Sequence, residues 1–125
     1  MARLDHVVLT VTDVDRSIAF YQHVLGMRPV TFGSGRRAVT FGSSKINLHE
    51  AGREISPHAR RPLPGSADLC LITVAGPDQV LGHLRAQRVA VEQGPVQRTG
   101  ALGSIISVYV RDPDGNLIEV ASYPA

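Results

Sequence analysis

The chain has no tryptophan, only three tyrosines and three phenylalanines, and a single cysteine in 125 residues. Each scarcity excludes something. Few rings leave little to stack on bases. The basic residues are scattered as well, apart from the doublets Arg36-Arg37 and Arg60-Arg61. A nucleic-acid surface needs a basic stripe interleaved with aromatics, so nucleic acid is not an expected partner. One cysteine cannot close an intrachain disulfide. Cys70 lies in the apolar run Leu69-Cys70-Leu71-Ile72 and reads as a buried core thiol, because a catalytic thiolate needs an electropositive, partly exposed setting. No apolar stretch approaches the roughly 20 residues of a membrane span. The start, Met1-Ala2-Arg3-Leu4-Asp5-His6, has no apolar signal region. The expectation is a cytoplasmic protein with no membrane partner.

The length suits one modest domain, and the formal net charge of +2 is close to neutral. A domain of this size buries a limited fraction of its surface, so association into a homodimer would help to stabilise it.

His6-Val7-Val8-Leu9-Thr10-Val11 reads as a first strand, β-branched and bounded by polar residues. Asp13 or Thr12 can cap a following helix. Ile18, Tyr21 and Leu25 recur there at helical spacing, Phe20 and Val24 widen the stripe, and Gly26 stops it. Three strands are expected next, at 27–32, 37–41 and 45–49. Residues 51–66 carry Pro57, Pro62, Pro64 and Gly65 and read as a long linker. The pattern then restarts. A strand is expected at 68–74, and a second helix opens at Gly76-Pro77, where the missing proline N–H costs nothing. Val89-Ala90-Val91 reads as a strand and Gly94-Pro95 as a turn. Ser104 to Val110 reads as a long strand. Asp112-Pro113-Asp114-Gly115 is a strong turn signal, and Asn116 to Ala121 the last strand.

The order is therefore βαβββ, linker, βαβββ, an internal repeat. A shift of 63 positions lays His6–Val11 on Leu69–Val74. The expected class is α+β, with module one at about 3–50, the linker at about 51–66 and module two at about 67–123.

Three segments carry a family resemblance. The first is Leu4-Asp5-His6-Val7-Val8-Leu9-Thr10-Val11 with Asp15-Arg16-Ser17-Ile18-Ala19-Phe20-Tyr21 and Val24-Leu25-Gly26-Met27. The second is Glu92-Gln93-Gly94-Pro95-Val96, and the third is Asp112-Pro113-Asp114-Gly115-Asn116-Leu117-Ile118-Glu119. In this order they resemble the signatures of the vicinal-oxygen-chelate superfamily (glyoxalase, bleomycin resistance, extradiol dioxygenase). The chain is most similar to the short glyoxalase-domain-containing proteins. The resemblance implies a cupped mixed sheet from each βαβββ module, with two cups facing each other around a site, often across a dimer interface.

It also implies up to four metal-ligating cup positions, carried over as His6, Asn47, Leu69 and Glu119. A neutral imidazole and a carboxylate suit Fe, Mn, Zn, Ni or Co. Leucine cannot ligate, and an amide oxygen is a weak ligand. His49, two residues after Asn47, shares its strand face and would complete a His6, His49, Glu119 set. Asp68, next to Leu69, is the alternative ligand. Glu119 is the expected catalytic base. Asn47, Arg98 and Tyr109 are expected to contact substrate, with Arg98-Thr99-Gly100 read as a loop over the cup mouth. Read without the resemblance, His6 is a strand-start histidine bonded to a carboxylate, and Arg98 an exposed loop arginine. The function implied is a metal-dependent lyase, isomerase or dioxygenase acting on a small oxygenated substrate. The alternative is a metal-free protein of the bleomycin-resistance type that sequesters a ligand.

Overall fold

The computed structural model describes residues 1–124. Its element order is β1 (His6–Val11), α1 (Val14–His23), β2 (Arg28–Phe32), β3 (Arg36–Phe41), β4 (Ser44–Glu50), β5 (Asp68–Ile72), α2 (Pro77–Ala86), β6 (Gln93–Gly100), β7 (Gly103–Arg111) and β8 (Leu117–Ser122). The two βαβββ modules are present. They form two compact units. Unit one spans Met1–Ala67 with Pro113–Gly115, and unit two spans Asp68–Asp112 with the segment from Asn116 onward.

Unit one is a four-stranded sheet of order β1-β4-β3-β2. β1 and β4 are parallel, and the other pairs are antiparallel. A parallel pair needs a long crossover, which α1, β2 and β3 provide. α1 begins where the Asp13 carboxylate accepts the Arg16 N–H at 3.1 Å, and its residues Ser17, Ile18 and Tyr21 are buried. They lie with Leu9, Val11, Val39, Ile46 and Leu48 in the core of this unit. Tyr21 is fully buried. A side chain of that size removed from water is worth about 1.5–3 kcal/mol. The helix covers the sheet face that carries Val39, because Asp15 on α1 pairs with Arg37 on β3 at 3.1 Å.

The segment 113–115 belongs to unit one through Asp114. Both oxygens of its carboxylate accept the Thr12 N–H at 3.2 Å. The linker 51–66 holds no helix or strand. It is nevertheless tied down locally: Glu54 accepts the Gly52 N–H, and Ser66 donates to the Leu63 carbonyl at 2.7 Å.

Unit two repeats the plan with order β5-β8-β7-β6. Leu84 of α2, Ile105, Val108, Val110, Ile118, Val120 and Ala121 are its buried apolar residues. Two expectations fail here. Val89-Ala90-Val91 is not a strand: the Val89 N–H bonds the Leu84 carbonyl and closes the end of α2. The strand is Gln93–Gly100, which its glycines and proline disguise as a turn. An edge strand tolerates both, and its pairing with β7 shifts register between Gln93 and Val96. Arg98 therefore sits in β6 and not in a loop.

Candidate functional site

Residues paired across a sheet share a face, and alternate residues of one strand return to it. With α1 on the Val39 face, the opposite face of unit one is set by register. It carries His6, Val8 and Thr10 from β1 and Lys45, Asn47 and His49 from β4. β3 and β2 add Arg36, Ala38, Thr40, Arg28, Val30 and Phe32.

Three polar side chains on this face are buried: Thr10, Asn47 at 4% exposure and His49 at 6%. Asn47 Oδ1 and both ring nitrogens of His49 have no hydrogen-bond partner among the described residues. An unmade hydrogen bond in a buried site costs about 1–3 kcal/mol per group, so the pair is costly unless something else meets it. Burial, chiefly, holds the His49 pKa below its ordinary value, and Arg36 and His58 act in the same direction. Glu54 opposes them. The neutral imidazole is therefore favoured, with one N–H donor and one acceptor. Glu54 and His58 come from the linker, so the linker places charge beside His49. The Glu54 carboxyl is itself held down, first by backbone N–H donors and then by His58 and His49.

Cations flank the pair. Lys45 Nζ stands 3.7 Å from the Phe32 ring centroid, and the Arg36 guanidinium 5.0 Å from it. His6 lies at the other end of the face, exposed, with Nδ1 2.8 Å from Asp5. That hydrogen bond is the main reason the Asp5 carboxyl titrates below its ordinary value. His6 pairs with Lys45, and His49 stands four positions further along. At about 3.3 Å per residue, roughly 13 Å of strand separates them. The strands do not bring the two histidines together.

In unit two the helix-free face carries Glu119, paired in register with Cys70 on one side and Tyr109 on the other. Ser107 donates to Glu119 Oε2 at 2.5 Å. Tyr109 O–H accepts from Arg98 Nε at 3.1 Å, and the guanidinium lies 5.6 Å from the ring centroid. The structure thus joins Glu119, Tyr109 and Arg98 on one face and adds Ser107. Cys70 is exposed on this face, not buried in the core. Burial of part of the side chain, then the charges of Glu119 and Asp68, push its thiol pKa up. It is not an activated thiolate.

The register also corrects the repeat. Asn47 is flanked by Val8, and Glu119 by Cys70. The true counterpart of His6 is then Asp68, one position short of the alignment offset. Leu69 pairs with the fully buried Ile118 on the helix-covered side. The 63-position shift, which lays Val11 on Val74, runs past the end of β5 at Ile72.

The donor sets test the metal expectation. Among the described residues no three or more His, Cys, Asp or Glu side chains gather as metal ligands. Unit one offers a neutral imidazole and an amide oxygen beside the Arg36 cation, with no carboxylate at any strand position of that face. Unit two offers Glu119, already accepting from Ser107, with Asp68 and the protonated Cys70 thiol on the same face. The residues of neither unit by itself fit a divalent ion.

Residues overlooked in the sequence were Ser107, Arg36, Lys45 and Phe32. Ser107 alone left a signal, as a polar residue inside the apolar run Ile105 to Val110.

The chain is similar to known proteins along its whole length. Residues 3–120 match the model of the Glyoxalase/Bleomycin resistance protein/Dioxygenase superfamily. The virulence protein STM3117 of Salmonella typhimurium is 51% identical over 121 residues, which is 97% of this chain and 84% of that protein. Its crystal structure superposes with a TM-score of 0.98, covering 99% of this chain and 98% of that one. The glyoxalase domain-containing protein RDO1 of Mycosarcoma maydis is 52% identical over 120 residues, 96% of this chain and 68% of that protein. A lactoylglutathione lyase of Agrobacterium tumefaciens superposes with a TM-score of 0.74 at 25% identity, covering 98% and 94%. With the repeated βαβββ module, these matches place the chain in the glyoxalase/bleomycin resistance/dioxygenase superfamily.

Proposed function

We propose that this protein is an enzyme that binds a small oxygenated substrate on the helix-free sheet face of unit two and moves a proton with Glu119. The observation that carries the reading is the Glu119 carboxylate, held by the Ser107 hydroxyl with the hydrogen-bonded Arg98–Tyr109 pair on the same face. Glu119 supplies the chemistry. As a carboxylate it accepts a substrate proton, and the Ser107 hydroxyl fixes its orientation. Arg98 and Tyr109, bonded to each other beside it, are placed to hold a substrate oxygen. The 25% identity to a lactoylglutathione lyase accords with an enzyme.

The measurement is turnover on small hydroxy-carbonyl substrates. Glu119→Gln keeps the side chain's shape and removes the base. It should lower kcat by about 10²–10⁴-fold with KM little changed. An unchanged kcat would remove Glu119 from the chemistry. The metal-free sequestering reading predicts binding without turnover in both proteins.

Metal-dependent chemistry would draw its ligands from His6, His49 and Glu119, with Asp68 as the alternative, around one Fe, Mn, Zn, Ni or Co ion. Since neither unit supplies such a set, no step is assigned to a metal. A stoichiometric transition metal in purified protein, lost in both His6→Ala and Glu119→Ala, would replace this reading with the metal-dependent one.

A further inference from the structure

We infer that Tyr123, the last aromatic residue of the chain, is a positioning residue for Arg98, its hydroxyl pinning the tip of the β6–β7 hairpin so that the guanidinium stays on Tyr109; this rests on the role proposed for Arg98 and adds the residue that holds it in place.

β6 is the outer strand of its sheet, with β7 beside it. The pairing runs Arg98↔Ile105, Thr99↔Ser104 and Gly100↔Gly103 up to the turn. Arg98 is therefore close to the open end of the hairpin, where opening costs least. Apolar packing does not hold this end. Residues 101–104 are exposed, Leu102 at 87%. A hydroxyl holds it instead: the Leu102 N–H donates to the Tyr123 hydroxyl oxygen at 3.0 Å. Ser122, the last residue of β8, pairs with Ile106 of β7, and Tyr123 follows it and reaches back to the turn.

Gly100 points to the same contact independently. Its φ lies outside the left-handed region, so the turn does not require glycine there. A glycine inside a strand otherwise weakens it and marks a close approach. Space is the reason here. A Cβ at position 100 would stand 2.6 Å from the Tyr123 hydroxyl oxygen and 3.0 Å from Ile105 Cγ2. The missing side chain is the notch that admits the hydroxyl. With the tip pinned, Arg98 keeps its two bonds, Nε to the Tyr109 hydroxyl at 3.1 Å and Nη1 to the Gln97 carbonyl at 3.2 Å. Both bonds are exposed, so water competes for them once the strand end opens. Tyr123 thus acts on Arg98 through the backbone of β6.

The test follows hydrogen exchange at the Nε–H groups of Arg98 and Arg111 by NMR in the full chain. Arg111 Nε donates to Glu92 at 2.9 Å, at the far end of the same hairpin, and is the control. Tyr123→Phe keeps the ring and removes the acceptor. Exchange at Arg98 should speed up at least about threefold while Arg111 stays as in the natural protein. Gly100→Ala fills the notch and should act in the same way. Unchanged exchange at Arg98 in both variants would overturn the inference. So would an equal rise at Arg111, because loss of stability throughout the sheet moves both. Turnover of a hydroxy-carbonyl probe, glycolaldehyde, gives a separate reading. Tyr123→Phe should raise KM roughly threefold or more at constant kcat, the reverse of the Glu119→Gln split. A lower kcat at constant KM would count against positioning through Arg98. No turnover by the natural protein, with Arg98 exchange still dependent on Tyr123, would remove the enzyme reading and leave the positioning standing.

Discussion

At the scale of single residues, His49 is the informative one. A histidine whose folded-state pKa is depressed binds its proton more readily in the unfolded chain. Over the window in which only the unfolded chain is protonated, from about the ordinary 6.5 downward, stability therefore falls as pH falls. Above that window both states are neutral and the contribution is constant. His49→Gln cannot titrate. It should lose less stability than the natural protein between pH 7.5 and 5.5 in paired denaturant titrations. Equal slopes would show that His49 does not sit as a buried neutral ring. His6 behaves differently although both histidines belong to strands of the same sheet. It is exposed, with Nδ1 2.8 Å from the Asp5 carboxylate, whereas His49 is buried.

At the scale of elements, β6 is where composition and structure part. Its polar residues, two glycines and a proline do not announce a strand, yet pairing with β7 makes one. The backbone comes so close at Gly94 that an added Cβ would collide with the Ser107 carbonyl oxygen, and φ there is +111°. Gly94→Ala should therefore destabilise the protein by at least about 2 kcal/mol in chemical denaturation. It should also disturb Glu119, since Ser107 carries both the crowded carbonyl and the hydroxyl that holds the carboxylate. A loss below about 0.5 kcal/mol would mean that β6 can move away freely. His6–Val11 was legible in advance because a short β-branched run bounded by polar residues is a local strand signal.

At the scale of the whole molecule, Val8 of β1 and Ile72 of β5 are exposed large apolar residues on edge strands. Val74 and Leu102 are exposed as well. A small domain with apolar side chains on open edges gains from association. We expect a homodimer, read as a solution mass of twice 13.4 kDa by light scattering at micromolar concentration. A strict monomer there would rule out a site shared between chains. No helix of the described residues is long and apolar enough to cross a membrane.

The sequence by itself determined the repeat, the family and every element except β6, because hydrophobic period, caps and turn residues are local signals. Asp13 at the start of α1, Pro77 at the start of α2 and the Asp112–Gly115 turn all act within a few residues of themselves. Strand parity also put His49 on the same face as Asn47, since alternation is local too. Only the tertiary structure decided the register. That register made Asp68, not Leu69, the partner position of His6, exposed Cys70, drew Arg98 into a strand beside Tyr109, and seated Ser107 on Glu119. It also left Asn47 and His49 buried without partners. Pairing joins residues far apart in the chain, and a one-residue slip reverses the face of every side chain in a strand, so no local pattern could have settled which atoms would meet.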